Sequence, residues 1–112
     1  MITYNDIIKL FSFDLKCKFC IEIEFSVKNH PKYLSCWMGK MPDKNDKERE
    51  LYWYGLTADG SESYDFYNFE DFACATVFDG KSLEQIFSSI EINSIDGCDP
   101  TERLQTYIRD FI

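Results

Sequence analysis

The chain has 112 residues and a mass of 13.2 kDa, with 45% hydrophobic and 17% aromatic residues. That is enough for one domain with its own core, residues 1–112, and far too aromatic for a disordered chain. A formal net charge of −8 and a pI near 4.5 exclude a surface built to neutralise the phosphates of nucleic acid or of an anionic membrane.

Thr3 is placed to cap a short first helix running to Phe11, with Ile7, Ile8, Leu10 and Phe11 as its apolar stripe. From Lys18 to Lys28 the pattern changes to strict alternation. Phe19, Ile21, Ile23, Phe25 and Val27 fall on one face; Cys20, Glu22, Glu24 and Ser26 fall on the other. This is a strand with one buried and one wet face. Asn29-His30-Pro31 makes a turn, since proline disfavours helix at the residue before it.

A second strand is expected from Tyr33 to Lys40, with Leu34, Cys36 and Met38 opposite Tyr33, Ser35 and Trp37. Residues 42–50 form a charged connection. A third strand, Leu51 to Thr57, sets Tyr52, Tyr54 and Leu56 against Leu51 and Trp53. It is apolar on both faces. Ala58-Asp59-Gly60-Ser61 is a turn, and Tyr64 to Tyr67 is placed to close a second hairpin.

From Phe69 the period becomes helical. Asn68 caps a two-turn helix carrying Phe69, Phe72, Ala73 and Thr76 on one side. After the Asp79-Gly80 turn, Ser82 and Gln85 form a capping box for a helix from Leu83 to Ser89. Ile90, Ile92 and Ile95 mark a short strand. Asp96-Gly97 turns, and Asp99 caps a last helix, Pro100 to Phe111, with Leu104, Tyr107, Ile108 and Phe111 on its apolar face. The expected fold is α+β: an N-terminal helix, an antiparallel three- to four-stranded meander packed against helices, and C-terminal helices with one short strand between them.

Catalytic and metal-binding patterns have simpler explanations. Gly80-Lys81-Ser82 ends like a phosphate-binding loop, but Ala75 stands where that loop needs glycine. Cys17-x-x-Cys20 has the spacing of half a zinc site, with His30 and Cys36 as further candidates; at the head of a strand, however, positions three apart face opposite ways. His30 is the one histidine and sits in a turn, where it reads as exposed scaffold. The acidic groups Asp59, Glu62, Asp65 and Asp96, Asp99, Glu102 lack the spacing of a calcium loop. No catalytic residue, metal site or cofactor is expected.

Five scattered cysteines fit free thiols in a reducing compartment. Residues Met1 to Leu10 lack the basic stretch and apolar run of a secretory leader, and no segment approaches the roughly 20 apolar residues of a membrane span. A cytoplasmic protein is expected. The constellation that does point to a function is a binding face. Pairing the first two strands as a hairpin puts Trp37 and Tyr33 beside Glu22 and Glu24, and the third strand extends the patch with Tyr52 and Tyr54, or with Trp53. Aromatics ringed by acids are the make-up of a protein-recognition surface.

The stretches Phe69-Glu70-Asp71-Phe72, Val77-Phe78-Asp79-Gly80-Lys81-Ser82-Leu83 and Ile95-Asp96-Gly97 resemble a pattern in small bacterial proteins, some of which are immunity proteins that neutralise a neighbouring toxin. The resemblance implies an inhibitor of a basic partner protein and brings no catalytic residues with it. Two other readings stand beside it: a small enzyme or ligand-binding domain with a pocket between sheet and helices, and a subunit that forms a homodimer through the aromatic face.

Overall fold

The computed structural model describes residues 2–12, 20–46 and 48–111. The first helix, α1 (Tyr4–Phe11), starts where its cap requires. The Asp6 backbone N–H donates to Thr3 Oγ1 at 3.1 Å, and the Thr3 N–H donates to Asp6 Oδ2 at 2.8 Å. Five strands follow among the described residues: β1 (Ile21–Val27), β2 (Cys36–Pro42), β3 (Glu50–Gly55), β4 (Ser63–Phe66) and β5 (Ile90–Ile95). Between β4 and β5 lie α2 (Phe69–Cys74) and α3 (Leu83–Ile86), the latter running into a 3₁₀ turn at Phe87–Ser89. The chain continues into α4 (Pro100–Phe111).

The α+β class stands, with a larger sheet than the expected meander. β1 to β4 form an antiparallel meander, and β5 joins the same sheet beside β1, giving the order β4-β3-β2-β1-β5. The short strand expected between the late helices is therefore a sheet edge. A register shift at Glu24/Phe25 fits it against β1.

Period-two patterning divides the sheet into two faces. Ile21, Ile23, Phe25 and Val27 of β1, Cys36 and Met38 of β2, Tyr52 and Tyr54 of β3, and Ile90 and Ile95 of β5 join one buried cluster. Ile7, Leu10 and Phe11 of α1, Phe72 of α2, Leu83 and Ile86 of α3, and Leu104 and Tyr107 of α4 join the same cluster. All four helices thus pack their buried side chains on the inner face. A run of ring contacts crosses it. Phe11 meets Phe72 at 5.2 Å between centroids, Phe72 stacks on Tyr54 at 4.1 Å, and Tyr54 meets Phe78 at 5.4 Å.

The inner face also holds one buried charge. The Lys40 ammonium donates to the Phe11 carbonyl at 2.9 Å and lies 3.1 Å from Glu50 Oε1, so the ion is partnered rather than stranded. The late turns follow their sequences. Asp79-Gly80 and Asp96-Gly97 all have positive φ, and each turn is closed by a two-residue bridge, Phe78 to Lys81 and Ile95 to Cys98. Asp96 then acts as a latch. It accepts from the Glu22 N–H at 2.9 Å, Arg103 Nε at 3.1 Å and the Tyr107 hydroxyl at 2.6 Å, tying β1, β5 and α4 together.

Two expectations change here. α2 ends at Cys74, because Ala75 turns extended (ψ 128), so Thr76 lies outside the helix and is exposed. Ile108, assigned to the apolar face of α4, is 37% exposed. Phe19 and Cys17 lie outside the described residues.

Candidate functional site

The outer face of the sheet is built in rows across the strands. Residues directly opposite one another in an antiparallel ladder share a face, with Cβ atoms about 4.5–5.5 Å apart. One row runs Asp65, Trp53, Gly39, Glu22 through β4, β3, β2 and β1. The next runs Ser63, Gly55, Trp37, Glu24, Ser94 and ends on β5. Each row contains one tryptophan, one glycine and at least one carboxylate. Trp37 is 36% exposed, Trp53 is half-buried, and Glu22 and Asp65 are exposed.

Gly39 explains how one of the indoles sits. A Cβ on Gly39 would lie 2.6 Å from Trp53 Cζ2 and 2.8 Å from Cε2, so the Trp53 ring is laid flat over the bare Gly39 backbone. The same Cβ would fall 2.3 Å from the Ile21 carbonyl oxygen. Trp37 stands opposite Gly55 in the matching position. Trp37-Met38-Gly39 and Trp53-Tyr54-Gly55 are two copies of one W-x-G pattern, run antiparallel so that each tryptophan faces the other's glycine. This repeat was the available sequence signal for Gly39 and Gly55, which strand alternation alone does not single out. Met41 and Leu51, opposite each other and half-buried, extend the face.

Of the expected binding residues, Glu22, Glu24, Trp37 and Trp53 share the outer face. Tyr33, Tyr52 and Tyr54 do not. Tyr54 is 1% exposed and donates to the Phe72 carbonyl at 2.9 Å; it alternates with Trp53 and therefore points inward. Tyr33 precedes β2, so strand parity does not apply to it, and it turns fully into the core while Leu34 is 68% exposed. Its hydroxyl donates to Glu62 Oε1 at 2.9 Å, and burial, then this hydrogen bond, pushes its pKa up to about 12. Burial likewise raises the phenols of Tyr52, Tyr54 and Tyr107 and pushes the Cys36 thiol up to about 11.

His30 is not exposed scaffold. Its side chain is 26% exposed, Nε2 lies 2.6 Å from Asp79 Oδ2, and the ring stacks on Tyr33 at 4.4 Å. With Lys32 2.6 Å from Glu62 Oε2, this group joins the β1–β2 turn to the β3–β4 turn and the loop before α3. The acidic turns are likewise occupied by their own neighbours. Asp59 accepts from the Ser61 backbone N–H at 3.0 Å and from the Ser61 and Thr57 hydroxyls, which holds its carboxyl down at about 2. Among the described residues no group of three or more His, Cys, Asp or Glu is arranged to hold a metal ion. Cys36 is buried and its thiol donates to the Leu56 carbonyl at 3.4 Å.

A groove of about 840 Å³ lies elsewhere, where the start of α1 and the start of α4 meet β5. Ile2, Tyr4, Phe87 and Ile92 line it together with Lys28 and Glu84. Among the described residues no helix is long and apolar enough to cross a membrane. Compared with known protein families, with curated proteins and with solved structures, the chain matches none.

Proposed function

We propose that this chain is a non-enzymatic protein-binding domain whose outer sheet face holds a basic partner. The observation that carries the reading is the W-x-G pair of strands. It sets two tryptophans on the sheet face opposite the buried cluster that the described helix side chains join, with Glu22, Glu24 and Asp65 in the same cross-strand rows. Exposed aromatics at the centre of a charged rim supply the dissociation-limiting contacts, and the rim sets association rate and partner choice. The chain's charge of −8 favours a cationic partner. It disfavours a homodimer through this face, which would bring the same carboxylates together. An immunity-type inhibitor of a toxin is the form of this function that the sequence resemblance supports.

The groove beside α1 supports a second reading, a ligand-binding domain, because its volume lies within the range of small-molecule sites. One experiment separates the two. Proteins captured on the wild-type chain are purified and titrated against Trp37→Ala/Trp53→Ala and against Tyr4→Ala/Phe87→Ala. Loss of at least about tenfold in affinity in the first variant alone is expected, since a central aromatic contributes about 2 kcal/mol or more. Loss in the second variant alone, with the first unaffected, would move the site to the groove.

A further inference from the structure

Among the described residues one local device occurs four times. Arg49 lies 4.1 Å over the Tyr67 ring and pairs with Asp43. Arg103 lies 4.9 Å over Tyr107 and 3.1 Å from Asp96. Lys40 lies 5.6 Å over Tyr52 and 3.1 Å from Glu50, and Lys32 lies 5.4 Å over Tyr33 and 2.6 Å from Glu62. Each unit is a cation held between the face of an aromatic ring and a carboxylate. In three of them the tyrosine hydroxyl also donates to the same acid: Tyr33 to Glu62, Tyr52 to Glu50 and Tyr107 to Asp96.

On the outer face the ring and the acid recur without the cation. Trp37 stands directly opposite Glu24, and Trp53 directly opposite Asp65 with Glu22 at the far end of its row. Among the described residues no Lys or Arg lies over either indole, and neither Glu22 nor Asp65 is in an ion pair. Trp is the best of the aromatic rings for this contact.

We infer that the outer face takes two cationic side chains of its partner, one over each indole, with each charge shared by the carboxylate opposite. The inference rests on the outer face being the docking surface. Arginine fits better than lysine, because its planar guanidinium lies flat on a ring while forking onto a carboxylate. The spacing adds a second constraint. Trp37 and Trp53 are diagonal neighbours on adjacent strands, about 7–8 Å apart. Two residues of extended chain span about 6.4–6.8 Å, close to the spacing of diagonal neighbours, whose Cβ atoms lie somewhat nearer than their Cα atoms, so an Arg-x-Arg segment in extended form suits the pair.

The test uses capped Gly-Arg-Gly-Arg-Gly, its lysine counterpart and its citrulline counterpart, which keeps the shape and loses the charge. Each is titrated at millimolar concentration into the full chain, and the two indole N–H signals are followed by NMR. The arginine peptide is expected to shift both signals, the lysine peptide to bind more weakly, and the citrulline peptide to do neither. Trp37→Ala and Glu24→Gln should each weaken the arginine peptide about two- to fivefold, the range for an exposed cation–aromatic contact. Equal binding by citrulline, or no shift with arginine, overturns the inference. If the captured partner then still depends on Trp37 and Trp53, the surface is right and its cationic occupant wrong; if that dependence is absent too, the docking reading itself fails.

Discussion

The two faces of the sheet solve the same problem in opposite ways. The inner face buries aromatics edge-on and stacked, closes their hydroxyls with Glu50, Glu62, Asp96 and the Phe72 carbonyl, and covers everything with four helices. The outer face lays Trp53 down on the Gly39 backbone and, among the described residues, leaves Glu22 and Asp65 without an ion-pair partner. Large rings on both faces satisfy strand propensity equally. What separates core from candidate site is the fate of the polar atoms beside the rings. Carboxylates closed by the chain's own cations and hydroxyls mark the face that stabilises the fold; on the outer face Glu24 accepts only from the Ser94 hydroxyl at 3.4 Å, and Glu22 and Asp65 are in no ion pair among the described residues.

Alkali should break the inner face most completely. Tyr33, Tyr52, Tyr54 and Tyr107 all hold their protons more tightly when folded than the ordinary value near 10. The unfolded chain therefore releases protons first as pH rises. Stability is fully present below pH 10 and is lost from there through about 12, the value for Tyr33, and beyond. Phenolate absorbance and circular dichroism should change together above pH 10; ionisation of these four without loss of fold would contradict their burial.

Next in size is Phe72→Ala, which removes the ring stacked on Tyr54 and should cost about 3–5 kcal/mol in urea unfolding. Gly39→Ala comes from the outer face yet should cost about 1–3 kcal/mol, because its methyl group meets the Ile21 carbonyl as well as the Trp53 ring. A cost near zero would mean that the strands separate easily at this point. Asp99→Ala should cost about 1 kcal/mol by freeing the Glu102 N–H, now bonded at 3.1 Å, and an unchanged urea midpoint would count against the cap. Smallest is Trp37→Ala, expected to stay folded and to lose less than about 1 kcal/mol, the scale of one cross-strand pair. Unfolding of that variant would make the outer face part of the core and end the comparison.

Much of this division is legible in the residue order. Alternation from Ile21 to Val27 assigns both faces of β1 correctly, and the caps Thr3, Asn68, Ser82 and Asp99 each accept from the helix N–H that their spacing predicts. Failures occur where a rule is carried past the element it belongs to. Counting parity back to Tyr33 assumes a strand that begins only at Cys36, and counting helical period on to Thr76 assumes a turn that the chain does not make. Partners distant in sequence leave no local trace. His30 and Asp79 are 49 residues apart, and the pairing of β5 with β1 links two segments that nothing in either one connects. The outer face was legible in its acids and tryptophans. Gly39, which seats the Trp53 ring, belongs to a repeat visible only when the two strands are read against each other.

The strand order also has a meaning in time. β1 lies between β2 and β5, so Val27 meets its second neighbour, Ile90, only after the strands and helices between them have been made. At about 5–20 residues per second that interval is roughly 3–13 s on the ribosome. Throughout it the meander has an apolar strand with one bare edge, a template for pairing with other nascent chains. Asp96, immediately after β5, seals that edge by accepting the Glu22 N–H, and helix α4 follows to hold the carboxylate through Arg103 and Tyr107. The arrival of β5 and α4 is thus the step that closes the bare edge of β1. Truncations that remove β5 and α4 are expected to yield insoluble product rather than a smaller soluble domain.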